Sequence, residues 1–149
     1  NCSDGVDGLC ASLSIVTILL FNCFGNIRIY NMAMILTLIA YLWYNASPSK
    51  LLMGDAGSRA IGVFIALTAM KSGRPLMYIP LAAVLIVDGG LGLVKLTVRR
   101  VLKKKDFMDG LRTPIHDHMR KNKGWSDTQV VIRFSIIQVI IGYLAICLM

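Results

Sequence analysis

Apolar residues in this chain are gathered into long blocks separated by short polar connections. Five blocks stand out, at residues 9–24, 30–44, 60–70, 77–98 and 134–149. A lone membrane-crossing helix needs about 20 apolar residues, and only the fourth block is that long. Helices inside a bundle borrow polar ends, so the pattern predicts an all-α, polytopic membrane helix bundle with five transmembrane helices. The competing reading is the buried core of a soluble helical protein.

Composition supports the membrane reading: 56% of the 149 residues are hydrophobic and 16% charged, against about 25% charged in soluble domains. The net charge of +8 is localised, with ten of the sixteen basic residues between Arg99 and Arg133. By the positive-inside rule the stretch 99–133 is a basic cytoplasmic loop between the last two helices, attracted also to anionic headgroups. Only Phe107 and Trp125 interleave with it as stacking platforms, which argues against nucleic-acid binding. No basic segment precedes the first block, so no signal peptide is expected. Cys2, Cys10, Cys23 and Cys147 lack metal-ligand spacing and are expected to be reduced.

With 99–133 inside, alternation places the other connections. The segments at 24–28 and 71–75 fall outside, and those at 1–9 and 45–59 fall inside. Asn1, Asp4, Asp7, Asn45, Asp55, His116, Asp117 and His118 then share one face. Seven of the eight aspartates lie at that surface, and there is no glutamate. Asp88 alone sits mid-span, in IVDGGLG. An intramembrane carboxylate is costly; the reading divides between function and a structural hydrogen bond, with a helix break or close approach at the two glycines.

Three polar clusters carry chemistry. In SDGVDGL, Asp4 and Asp7 are three apart and share a helical face; an N-cap explains one of them, hardly both. In MGDAGSRAIG the P-loop pattern is absent. Two glycines flanking Asp55 at a helix start nevertheless suit an anion, and Asp55 offers Mg²⁺ a hard oxygen, an N-cap being the plainer alternative. In RTPIHDHMRKNKGW the only two histidines lack the partners a closed zinc site needs. They suit a phosphate better; solvated loop histidines are the alternative.

Taken in order, NCSDGVDGL, LWYNASPSK, MGDAGSRAIG and RTPIHDHMRKNKGW resemble the motifs of the polyprenyl-phosphate N-acetylhexosamine-1-phosphate transferases, and the likeness runs the whole chain. The form PIHDH, with proline two before the first histidine, favours the muramoyl branch. The resemblance implies a ten-helix enzyme of the bacterial inner membrane whose second half this chain matches. The chain is then expected to begin inside that enzyme, without the upstream DDxxK motif and nucleotide-binding lysine, and to be incomplete as a catalyst alone. The implied reaction passes phospho-MurNAc-pentapeptide from UDP-MurNAc-pentapeptide to undecaprenyl phosphate, giving lipid I and UMP in peptidoglycan synthesis. It requires Mg²⁺ and takes place at the cytoplasmic face. A homodimer and sensitivity to nucleoside inhibitors are also implied.

Carried over by position, Asp55 resembles the Mg²⁺ ligand. Asn1, Asp4 and Asp7 resemble the wall around the nucleoside, and Asn45 a further substrate contact. His116 and His118 resemble the ends of a histidine triad at the phosphates. The resemblance makes Asp4, Asp55, His116 and His118 the catalytic candidates, with Asp117 joining them in substrate binding. Two positions depart from the pattern. Asp117 replaces the middle histidine and cannot donate to phosphate while ionised; it is expected to orient a neighbour or help hold the metal. Leu52 stands where a uracil-stacking phenylalanine is common. The alternatives are a relative using another UDP-N-acetylhexosamine, a transporter half, which would need more polar residues near the midplane, and a non-catalytic assembly subunit.

Overall fold

The computed structural model describes residues 5–24, 27–101, 110 and 112–149. Among them every regular element is helical: α1 Leu9–Phe21, α2 Arg28–Asn45, α3 Gly54–Lys71, a 3₁₀ turn Pro75–Met77, α4 Tyr78–Leu81, α5 Ala83–Val101, α6 Ile115–Lys123 and α7 Asp127–Cys147.

The charge-free helix α1 is apolar nearly all round, and such a helix belongs in the middle. It packs against α7, α2 and α3, burying Leu9, Leu13, Ile18 and Phe21 completely. Gly142 of α7 makes the α1–α7 contact close, because a Cβ there would collide with Leu20. The stripes that face α1 follow helical spacing: Asn31, Ile35 and Leu38 on α2, and Ser58, Ile61, Ile65 and Thr68 on α3. Their outer faces are the greasy ones. Ile29, Leu36 and Trp43 of α2 and Ile136, Ile140 and Tyr143 of α7 are exposed, while Asn31 and Gln138 are fully buried. Apolar side chains thus line the outer faces as well as the core, with a few polar groups paired inside, as in a bundle surrounded by hydrocarbon.

The apolar blocks at 9–24, 30–44, 60–70 and 134–149 each correspond to one helix, whereas that at 77–98 is divided among the 3₁₀ turn, α4 and α5. Among the described residues only α7 is by itself long and apolar enough to cross a membrane; Pro75–Leu81 with Ala83–Val101 qualifies only as a pair, bent by 83°. The break falls between Leu81 and Ala83, upstream of the glycines beside Asp88, which lie within continuous helix. Gln138 of α7 serves it from the side. Its Oε1 accepts the Val84 N–H at 2.8 Å, and its Nε2 donates to the Leu81 carbonyl at 2.8 Å and the Pro80 carbonyl at 3.2 Å. One amide side chain so satisfies the backbone groups that a broken helix orphans, the condition for tolerating a break where water is scarce.

The basic stretch 99–133 contains structure of its own. It holds the end of α5, the whole of α6 and the first turns of α7, which starts at a capping box formed by Ser126 and Gln129. Trp125 within it carries the Arg133 guanidinium 4.2 Å from its ring centroid.

Candidate functional site

The two ends of the bundle differ in character. At one end Asn31 Nδ2 donates to Asn22 Oδ1 and Thr68 Oγ1 to Asn31 Oδ1, a link between α1, α2 and α3. At the other end lie residues 5–8, the 46–53 connection, the start of α3 and helix α6. There residues 5–8, 45–51 and 116–120 come into contact, and the Asp55 segment follows the 46–53 connection.

Residues 5–8 form the hub. Gly8 adopts φ +80° as the residue before α1, so no aspartate caps that helix. Its N–H donates to Asn45 Oδ1 at 3.0 Å, and Asn45 Nδ2 donates onward to the Leu51 carbonyl at 2.7 Å. The Asp7 carboxylate accepts the Ser49 hydroxyl at 2.9 Å and the Ser49 N–H at 3.2 Å. Asn45, expected at a substrate, is therefore a buried strut with bonds on both sides. A small cavity of about 180 Å³ opens beside Asp7, lined also by Ser12, Ser47 and Thr128. Asn1 and Asp4 lie outside the described residues.

Helix α6 closes on the same hub. His116 is buried, and both its nitrogens nearest Asp88 are engaged: the backbone N–H donates to Asp88 Oδ1 at 2.9 Å, and ring Nδ1 lies 2.8 Å from Oδ2. The other ring nitrogen points at Gly5, where a Cβ would come within 2.6 Å of Nε2. Only glycine leaves the ring that room. Arg120, one turn on, reaches the Gly5 carbonyl at 3.5 Å and pairs with Asp127 at 2.6 Å, tying α6 to the start of α7.

His118 is two residues from His116 and so points elsewhere, about 200° round the helix. Its Nδ1 accepts the Arg112 N–H at 3.3 Å. The two histidines are thus in one helix but not side by side. Asp117 pairs with Lys121 at 3.1 Å. That hydrogen bond, with further help from nearby positive charge, holds its carboxyl below the ordinary value of 3.8.

Asp55 sits in the first turn of α3, after Gly54 at φ +67°. It is inside the helix, not its cap. It is exposed, with Oδ2 2.6 Å from Arg59 one turn later. Leu52 is exposed close by in sequence, at 76%. No three histidine, cysteine or acidic residues form a metal cluster among the described residues. The donor set nevertheless suits Mg²⁺, since an exposed carboxylate at a helix start leaves room for the water and phosphate oxygens this ion retains.

Sequence reasoning marked His116 and Asp88 separately but missed that they are partners, and it missed Ser49 and Arg120. The glycine of SDG was the available signal for close approach at Gly5. The glycines after Asp88 signalled a close approach but not its partner, and Ser49 carried no sign, because those partners lie 28 and 42 residues away.

The sequence pattern of glycosyl transferase family 4 matches residues 1–73. Among curated proteins the chain is 38% identical over 160 residues to a phospho-N-acetylmuramoyl-pentapeptide-transferase of Treponema pallidum (strain Nichols), covering 93% of the chain and 44% of the relative. Like-named proteins of Dictyoglomus thermophilum and Helicobacter pylori (strain J99) are 34% and 29% identical, across 95% and 98% of the chain and 46% of each relative. The chain spans less than half the length of these relatives.

Proposed function

We propose, from the match of residues 1–73 to glycosyl transferase family 4, that the chain belongs to that family and works as part of a phospho-N-acetylmuramoyl-pentapeptide transferase. The donor is UDP-MurNAc-pentapeptide, the acceptor undecaprenyl phosphate, and the products lipid I and UMP. The relatives' names and their match along nearly the whole chain support this reading. The structural observation that carries it is the convergence of distant motifs. Gly8 on Asn45, Asp7 on Ser49 and Gly5 against His116 and Arg120 bring residues 5–8, 45–51 and 116–120 to one end of the bundle.

The chemistry explains what that end must supply. A lipid phosphate approaches a nucleotide-sugar pyrophosphate, so anions crowd together while UMP leaves. Preorganised donors and cations offset that repulsion. Arg112, His118, Lys121 and Lys123 put basic groups on and before α6, and His116 lies buried in the same helix. Asp7 and Asn45 fix the wall at 5–8 and 45–51, on which the nucleoside rests. Asp55 would hold Mg²⁺, and a bound magnesium ion supplies charge neutralisation for the phosphates. The reading includes five membrane crossings in a bacterial inner membrane, this end of the bundle at the cytoplasmic face, assembly as a homodimer and inhibition by nucleoside analogues.

The test uses the intact enzyme in detergent with undecaprenyl phosphate, following UMP release from UDP-MurNAc-pentapeptide or UDP-GlcNAc, with and without Mg²⁺. Magnesium-dependent release from the muramoyl donor alone is expected. Release from UDP-GlcNAc alone keeps the chemistry and overturns the donor. Silence from folded enzyme with both donors overturns the reading.

A further inference from the structure

Asp88 is an anomaly that the reaction above does not use. It is 1% exposed, within an otherwise apolar stretch of α5, and is the buried residue of that helix. Burying a carboxylate is unfavourable unless its oxygens are occupied. Here both are occupied by a single residue. Oδ1 takes the backbone N–H of His116, one of the donors left over at the start of α6. Pro114 precedes the helix there and gives no side-chain cap. Oδ2 meets ring Nδ1. Two contacts to one residue fix the ring in rotation as well as in place.

A carboxylate only accepts hydrogen bonds, so with Asp88 in that form the ring nitrogen facing Oδ2 is the donor. The other nitrogen, Nε2, is then the ring's acceptor, and it is the atom aimed at Gly5. We infer that Asp88 is a positioning residue: it locks His116 in the Nδ1–H form and presents Nε2 to the hub at residues 5–8 as the working nitrogen. Asp88 thus sets which ring nitrogen faces residues 5–8 as an acceptor, and no bond to Asp88 forms or breaks. This role rests on the transferase reading.

The experiment compares intact wild-type enzyme with Asp88→Asn, Asp88→Glu, His116→Gln and the Asp88→Asn/His116→Gln double variant. Asparagine keeps the shape but puts an N–H₂ where one acceptor stood, which favours the Nε2–H tautomer. Expected are a fall in kcat of about a hundredfold or more for Asp88→Asn, with KM for the UDP donor within about threefold. Asp88→Glu retains more turnover than the asparagine variant. Because Asp88 acts through His116, the double variant is no slower than His116→Gln alone. In enzyme labelled with ¹⁵N-histidine, the His116 signals, identified by their loss in His116→Gln, show protonated Nδ1 in the wild type and protonated Nε2 in Asp88→Asn. Losses that multiply in the double variant, an unchanged His116 tautomer, or full turnover in Asp88→Asn each overturn the role while the transferase reading stands. If the asparagine variant does not fold, Asp88→Glu carries the test: a ring still protonated at Nδ1 with reduced turnover is expected, and loss of that tautomer overturns it. Wild-type enzyme silent with both donors overturns the transferase reading itself, and the role with it.

Discussion

Asn45 at the end of α2 holds Gly8 at the start of α1, its Oδ1 accepting the glycine N–H at 3.0 Å. The same side chain donates to the Leu51 carbonyl, so three segments of the candidate site depend on it. Asn45→Ala should therefore cost stability, about 1–3 kcal/mol for the buried donor and acceptor left without partners. Thermal unfolding in detergent measures this directly. A variant as stable as the wild type would show that the strut is dispensable and leave substrate contact as its whole role.

Asp55 is the opposite case. It is exposed, and its i,i+4 pair with Arg59 is of a kind that contributes little. Asp55→Ala should leave stability within about 0.5 kcal/mol while turnover falls by roughly a hundredfold or more. UMP release across a Mg²⁺ titration is the check. Near-normal activity at every concentration would remove Asp55 from the metal role.

Leu52 is solvent-exposed three residues before Asp55. An aromatic ring there would give a uracil base a face to stack on, and aromatic pairs are worth about 0.5–1.5 kcal/mol beyond area burial. Leu52→Phe should lower KM for the UDP donor by about two- to tenfold, with kcat little changed. An unchanged KM would mean the base lies elsewhere.

The depressed pKa of Asp117, due first to its hydrogen bond from Lys121, has a definite sign. The group is more acidic folded than unfolded, so its stabilising effect is fully present above 3.8 and is lost as pH falls through the lower folded value. Asp117→Asn should then leave the pH dependence of stability unchanged at neutral pH and flatten it only below about 4. Unfolding measured from pH 7 down to 3 tests this. A divergence from wild type near neutrality would contradict it.

What the sequence revealed and what it hid follow one rule. The block at 30–44 became α2 with nearly its expected bounds, because the signal is local. The block at 134–149 undershot: α7 starts at Asp127, where Ser126 and Gln129 cap it, and a capping box is polar. The glycines beside Asp88 suggest a break or close approach, whereas the break lies before α5 and its backbone groups are met by Gln138, more than fifty residues downstream. Likewise SDG, NASPSK and PIHDH were recognisable as motifs, whereas the pairing of Asp88 with His116 and of Asp7 with Ser49 needs the tertiary fold. Hydrophobic pattern reports on what a segment packs against on average. It says nothing of which side chain completes a distant backbone.

The bend held by Gln138 separates two quantities that hydropathy treats as one, contour length and depth. Read along the chain, residues 77–98 have enough greasy contour for a full crossing. In space the axis turns by 83° after Leu81, and α5 runs off for about 27 Å at 1.5 Å per residue. Val87, Leu93 and Leu96 are exposed along it, and Arg99 and Arg100 lie in its last turn. The turn sets the short piece Pro75–Leu81 at an angle to α5, which itself packs against α7, α6 and α1. A block that hydropathy counts as one straight crossing is thus an elbow and a helix, and its summed contour overstates the reach of either part.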